Sequence, residues 1–224
     1  MPGRRQKVTD DEVFAATQRA MSRRGPHELT LADIAGEAGV TAGLLVQRFG
    51  SKRELLVAFS ARFAGSAGPT FAELRAAHRL PLATLRAYAR CMADLAPSPE
   101  ALLRNLAYLQ LDLADEVLHG HLVENARATR GEIEALIEAA VAAGELRRDV
   151  DVRSLARTVE AVIGGSLMSW ATYREGTAVD AIGRDLDAVL APWLRRARAR
   201  AARKSGTGRR VAASRERRER RSTP

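Results

Sequence analysis

The sequence holds a single cysteine, Cys91, which excludes an intramolecular disulfide and leaves no thiolate cluster for a metal. A reducing cytoplasm fits that usage. Aromatic residues make up only 4% of the 224 positions, so a core must be built mostly from Leu, Ala and Val. Alternating β-branched runs are scarce while Ala, Leu, Arg and Glu dominate, which argues against strands and for an all-α protein. The longest uncharged window, Ala161–Tyr173, falls short of the roughly 20 residues of a membrane span. The opening MPGRRQKVTDDE lacks the apolar run of a secretion signal.

Basic residues outnumber acidic ones by 36 to 27, but unevenly. Residues 195–224 carry 13 Lys and Arg against 2 Asp and Glu, whereas the rest of the chain has 23 against 25. Within that rest, residues 1–53 are net +3 and residues 54–194 net −5. The positive charge therefore sits at the two ends. Residues 204–224 lack an apolar face and are expected to be disordered. This Arg-rich tail admits three readings: a solubilising appendage, a nonspecific DNA arm that adds counterion-release affinity, or a patch for anionic membranes. The DNA arm ranks first and the membrane patch, which lacks hydrophobic partners, last.

Helix start signals crowd the first quarter. Thr9-Asp10-Asp11-Glu12 has the form of a capping box, with Val8 and Val13 at staple spacing, and Thr30 with Asp33 repeats it, flanked by Leu29 and Ile34. Gly39 supplies a left-handed stop, Thr41 a further cap, and Ser51-Lys52-Arg53-Glu54 one more box. Beyond the Gly/Pro-rich break at 65–69, longer patterns predict helices near 70–79, 82–95, 99–112, 115–143, 151–173 and 178–203.

Residues 29–52, LTLADIAGEAGVTAGLLVQRFGSK, read as two short helices joined by a tight glycine turn. That is the pattern of a helix-turn-helix, whose second helix enters a DNA major groove; the plain alternative is a helical hairpin in an all-α core. Gly43, a poor helix former, lies in the first turn of the second helix, where a missing side chain permits close approach to a sugar-phosphate backbone or to a neighbouring helix. Lys52 and Arg53 occupy a helix first turn, which the macrodipole disfavours for cations unless an anion such as a phosphate joins them.

These residues resemble the DNA-binding domain of the tetracycline-repressor (TetR) family. The resemblance rests on Leu29-Thr30, Asp33-Ile34-Ala35, Ala38-Gly39-Val40-Thr41, Gly43, Leu45, Phe49, Ser51-Lys52 and Leu55 at fixed spacing, about a quarter of the chain. Two positions depart from the family pattern: Val46 stands for its usual Tyr and Arg48 for its usual His. By position Thr41, Ala42, Gly43, Leu44 and Gln47 face the groove, with Gln47 suited to a bidentate adenine contact. Arg48 suits a phosphate or a guanine, and Thr30 and Lys52 the backbone. The resemblance implies residues 1–53 as a three-helix DNA-binding domain on double-stranded DNA. Residues 54–203 follow as a helical bundle for a small-molecule effector and for homodimerisation, some nine or ten helices in all.

Candidate effector contacts are Tyr88, Met92, Tyr108, His121, Asn125 and Met168, polar or adaptable residues near apolar faces, and the surrounding Leu and Ala suit an apolar or amphipathic ligand. Apolar stripes on the last two helices offer Ile163, Leu167, Trp170, Leu186, Val189 and Trp193 for a dimer surface, with Gly164-Gly165 allowing close helix approach. His119 and His121 point to different faces and make no metal pair. No nucleophile, base and orienting group occur together with motif support, and no cofactor is implied. The leading expectation is a ligand-responsive repressor on a near-palindromic operator; the rivals are an architectural DNA binder driven by the tail, and an enzyme or scaffold with a vestigial helix-turn-helix.

Overall fold

The computed structural model describes residues 8–195. Among these, ten α-helices follow one another: α1 (Asp10–Arg23), α2 (Leu31–Ala38), α3 (Ala42–Phe49), α4 (Lys52–Ala64), α5 (Ala67–Ala77), α6 (Pro81–Asp94), α7 (Pro99–Ala114), α8 (Glu116–Ala142), α9 (Val152–Tyr173) and α10 (Ala178–Leu190). The expected Arg-rich tail, 204–224, lies outside the described residues, as do residues 196–203 of the predicted last helix.

The caps written in the sequence form as hydrogen bonds. The Thr9 hydroxyl accepts from the Glu12 amide at 3.2 Å while the Glu12 carboxylate accepts from the Thr9 amide at 2.7 Å. Thr30 and Asp33 repeat the exchange at 3.2 and 2.9 Å. Ser51 forms only the forward half of its box, accepting from the Glu54 amide at 3.2 Å. Gly39 takes φ 67°, ψ 28°, and the Val40 amide then reaches back to the Ala35 carbonyl at 3.0 Å, which closes α2 and turns the chain.

Two predicted boundaries shift. Helix α5 begins at Ala67, three residues before the predicted start, and takes Gly68 and Pro69 into its first turn, where a proline forfeits no intrahelical bond. Helix α10 ends at Leu190 rather than continuing to 203; Pro192 cannot extend an α-helix, and residues Ala191–Trp193 tighten into a 3₁₀ turn.

Apolar side chains gather in two clusters. The first joins α1 to α4: Val13, Ala20, Leu29, Ile34, Ala35, Leu45, Leu55 and Leu56, together with Tyr108 of α7. The second fills the bundle of α5, α6, α8, α9 and α10. Helix α8, 27 residues and therefore about 40 Å long, runs beside α4 and then α5, α6, α7 and α9, so it touches both clusters' surroundings. Its N-cap, Asp115, accepts from the Val117 and Leu118 amides at 3.0 and 3.2 Å and also from Arg53 Nε at 2.9 Å.

Those bonds hold the Asp115 carboxyl below its usual range, the Leu118 amide being the largest cause and Arg53 the next. Asp33 is lowered by the Thr30 hydroxyl and amide, and Glu12 by the Thr9 amide. Each folded-state pKa lies below its unfolded value, so the stabilisation is complete above the ordinary values of 3.8 for Asp and 4.5 for Glu and is lost as pH falls through the lowered folded values. Urea unfolding of Asp115→Asn should therefore show a lower midpoint at neutral pH and a shallower decline between about pH 5 and about pH 3; wild-type and variant curves that stay parallel would remove Asp115 from this role.

Candidate functional site

The second short helix stands at the surface. On α3, Leu45 is wholly buried and Ala42 and Phe49 pack against the first cluster, so positions 42, 45 and 49 form the inward face. The opposite side presents Gly43, Leu44 and Gln47, with Val46 beside them, all exposed. Leu44 and Val46 are 41% and 49% exposed, large apolar side chains that their own fold leaves uncovered. The Thr41 hydroxyl caps the helix by accepting from the Leu44 amide at 3.2 Å. A Cβ placed on Gly43 would meet no atom within 4 Å, so the glycine does not serve packing against a helix of its own chain.

Ala42, which the sequence places in the groove, instead turns inward because it shares the face of Leu45 and Phe49, and three further residues assigned by sequence to the DNA backbone or bases are engaged within the chain. Thr30 is exposed, yet its hydroxyl exchanges hydrogen bonds with Asp33, donating to the carboxylate at 2.7 Å. Arg48 turns back onto α1: its guanidinium donates to the Val8 carbonyl at 2.6 Å, pairs with Asp10, and lies 5.6 Å from the Phe49 ring centroid. Lys52 Nζ donates to the Pro26 and Leu29 carbonyls at 3.1 and 2.9 Å. It thus fastens the loop before α2 to the start of α4, a contact that no local sequence signal announces because its partners lie 23 and 26 residues upstream. Arg53, the other first-turn cation expected to meet an anion, forms the Asp115 link described above.

The effector candidates separate. Tyr88 and Met92 line a cavity of about 240 Å³ in the bundle, together with Leu95, Leu102, Asn105, Ile133, Glu160, Ile163, Gly164 and Leu167. Burial pushes the Tyr88 hydroxyl up to about 12, so it stays a neutral donor and acceptor at physiological pH. The Glu160 charge is met by Arg130 at 2.7 Å. Tyr108 lies elsewhere, in the first cluster, where its hydroxyl donates to the Arg24 carbonyl at 3.0 Å. His121 and Asn125 are partly buried on α8 away from this cavity, and His121 Nδ1 is enclosed with no hydrogen-bond partner among the described residues. Met168 is 48% exposed on α9.

Three of the dimer candidates, Ile163, Trp170 and Leu186, need correction, being buried in the chain's own core. Leu186 is fully buried, Ile163 and Trp170 nearly so, and Leu167, Val189 and Trp193 pack against the same second cluster. Trp170 Nε1 donates to the Gly176 carbonyl at 3.2 Å, which fixes the ring inward. These apolar stripes face the chain's own core because α9 and α10 pack on each other through them. The surface they leave outside includes the small Ala161, Gly164 and Gly165 beside Met168 on α9, and Arg184 and Ala188 on α10.

Comparison with known proteins matches this arrangement at both ends of the chain. The family described as "Bacterial regulatory proteins, tetR family" matches residues 13–59, and "Tetracyclin repressor-like, C-terminal domain" matches residues 103–203. An uncharacterized HTH-type transcriptional regulator of Haemophilus influenzae is 42% identical over 60 residues, which span 26% of this chain and only 32% of that protein. A TetR transcription regulator from Haloarcula marismortui shares the fold with a TM-score of 0.65 and 20% identity, over 83% of this chain and 98% of that one. SmeT, the repressor of a Stenotrophomonas maltophilia multidrug efflux pump, solved as a triclosan complex, superposes with a TM-score of 0.61 and 23% identity over 85% of this chain and 94% of its own. With both halves matched and the short helix α3 displayed between two capped turns, the chain belongs to the TetR family of helix-turn-helix, DNA-binding transcriptional regulators.

Proposed function

We propose that the protein is a ligand-responsive repressor that binds a near-palindromic operator as a homodimer and is released by a small apolar or amphipathic effector. The observation that carries this reading is the outward face of α3. Gly43, Leu44 and Gln47 are held clear of the fold by the burial of Leu45, on an α-helix, an element that a B-DNA major groove admits. Gln47 reads a base edge, Leu44 and Val46 contact thymine methyls or sugar, and Gly43 lets the helix terminus approach the phosphates. Residues 1–53 then serve as the reading head. Thr41, with the free amides of the first turn of α3, faces the same groove. Lys52 acts as a positioning residue, and Arg48 reaches a phosphate when Asp10 releases it.

The cavity around Tyr88, Met92, Ile163 and Leu167 is the effector site, and its apolar walls favour a ligand with little charge. A triclosan-bound relative is consistent with that chemistry. Effector binding alters operator affinity only through a difference in affinity for two arrangements of the reading heads. For the dimer, the exposed small-residue face of α9, with Gly165 open on its outer side, replaces the apolar stripes as the surface where a second copy packs.

The direct experiment is selection of binding sites from random duplexes, followed by footprinting. The expected product is a two-fold related motif with half-sites about one helical turn, ~34–36 Å, or more apart. Gln47→Ala should relax preference at one base step per half-site by about 1–3 kcal/mol; a motif identical to wild type would exclude the contact. Gly43→Ala should leave stability equal or higher by up to about 1 kcal/mol, since nothing crowds the site, while weakening operator binding. Equal affinity would show that no close approach occurs there. Lys52→Met should lower unfolding stability by about 1–3 kcal/mol, because two loop carbonyls lose a charged donor; unaltered stability with uniformly weaker DNA binding would return Lys52 to the phosphate contacts. Gly165→Glu, which favours helix and points to open space, should convert the dimer to a monomer in analytical ultracentrifugation, and an unchanged sedimentation coefficient would place the interface elsewhere.

A further inference from the structure

A second cavity, of about 320 Å³, lies where the DNA-binding helices meet the bundle. Met21 of α1 and Phe59 and Phe63 of α4 form one side; Tyr108, Leu111 and Asp112 of α7 form the other. It adjoins the first cavity, and the two share a wall of Leu95 and Asn105, held by a hydrogen bond from Asn105 Nδ2 to the Leu95 carbonyl at 2.9 Å. Its volume is at the lower end of the roughly 300–1,000 Å³ of small-molecule sites.

Its chemistry is lopsided. Most of the lining is apolar or aromatic, and it contains one ionisable carboxylate, Asp112, and no Lys, Arg or His. Asp112 is half-buried and makes no hydrogen bond or ion pair among the described residues. The nearby Asp115 is already held by Arg53 and by the α8 amides. Burial, and secondarily the charge of Asp115, push the Asp112 carboxyl above its usual range, so the group is held in surroundings that disfavour its charge. Arg104, at the edge of this region, donates its Nε proton to the Ser22 carbonyl at 2.7 Å instead. An anion would add repulsion, and a neutral ligand would desolvate the carboxylate further without compensation. A cation satisfies it, and the faces of Phe59, Phe63 and Tyr108 attract the same charge.

We propose that this junction cavity is a binding site for a cationic amphiphile, its ammonium paired with Asp112 and its apolar part between Phe59, Phe63 and Leu111. The site is separate from the effector cavity around Tyr88 and Leu167, and its occupancy does not depend on how α3 meets DNA. A ligand there touches α1 and α4 directly, whereas one in the bundle cavity reaches them only through α7 and α8.

Calorimetric titration of the full chain, without DNA and at about pH 8 where the carboxylate is ionised, tests this with (2-phenylethyl)trimethylammonium and the uncharged 4-phenylbutanol. The expected result is saturable binding of the ammonium probe at one site per chain, about tenfold or more tighter than 4-phenylbutanol, and about tenfold or more weaker in Asp112→Asn. Leu167→Phe, which narrows the bundle cavity, should leave the affinity as it is, helical circular dichroism confirming the fold of both variants. No saturable binding to the wild type, equal affinity for the two probes, equal affinity in Asp112→Asn, or loss of binding in Leu167→Phe would each overturn the assignment. Because DNA is absent, failure here is distinct from failure of the repressor reading.

Discussion

The burial of Leu45 fixes where α3 sits and which way it faces, and the candidate site follows from that. A helix of eight residues is too short to be stable alone, so α3 exists because one face is anchored in the cluster with Ile34 and Leu55. The anchor also sets the rotation of the helix. With Ala42, Leu45 and Phe49 inward, Gly43, Leu44 and Gln47 have to point away. Gly39 completes the geometry: its left-handed backbone returns the chain within one residue, so that α3 starts close to where α2 stops. Arg48 and Lys52 then act as pins at the two ends of this unit, one on the start of α1 and the other on the loop before α2.

Helix α3 and its neighbours are thereby tied to the bundle through polar contacts as well as through Tyr108, which α7 adds to the first cluster. Tyr108 and Arg104 of α7 donate to the Arg24 and Ser22 carbonyls at the end of α1, and Arg53 of α4 grips the cap of α8. Such contacts are individually weak and geometrically specific, so a small displacement of α7 or α8 exchanges bonds rather than breaking a packed interface. Between them lies the apolar junction cavity with its single carboxylate. A regulator needs a boundary of this kind if ligand binding among the long helices is to reach α4 and α3.

Much of the fold could be read from residue order because its determinants are local. The capping boxes at Thr9 and Thr30, the Gly39 stop and the Thr41 cap depend on neighbours within a few residues, and each formed as expected. The α10 terminus is set by Pro192, a signal that the helical pattern of the Arg-Ala run after it obscures. The site was less legible. The inward and outward faces of α3 follow from period alone, but the engagement of Lys52 with Pro26 and Leu29, and of Arg48 with Val8, joins residues 23 to 40 positions apart. The stripes on α9 and α10 showed that the helices are amphipathic without showing which apolar surface they meet; with Leu186 at zero exposure, that surface is each other. Tyr108 illustrates the same limit, since its neighbours in space belong to α1, far from it in the chain.

On the proposed function, the exposed face of α3 is the surface that meets duplex DNA. Backbone amide NMR of the full chain, titrated with the duplex recovered by binding-site selection, tests it most directly. Shifts concentrated on Thr41–Arg48, with α5 to α10 changing little, are the predicted result. Shifts that leave the amides of α3 unmoved while a specific complex forms would contradict it.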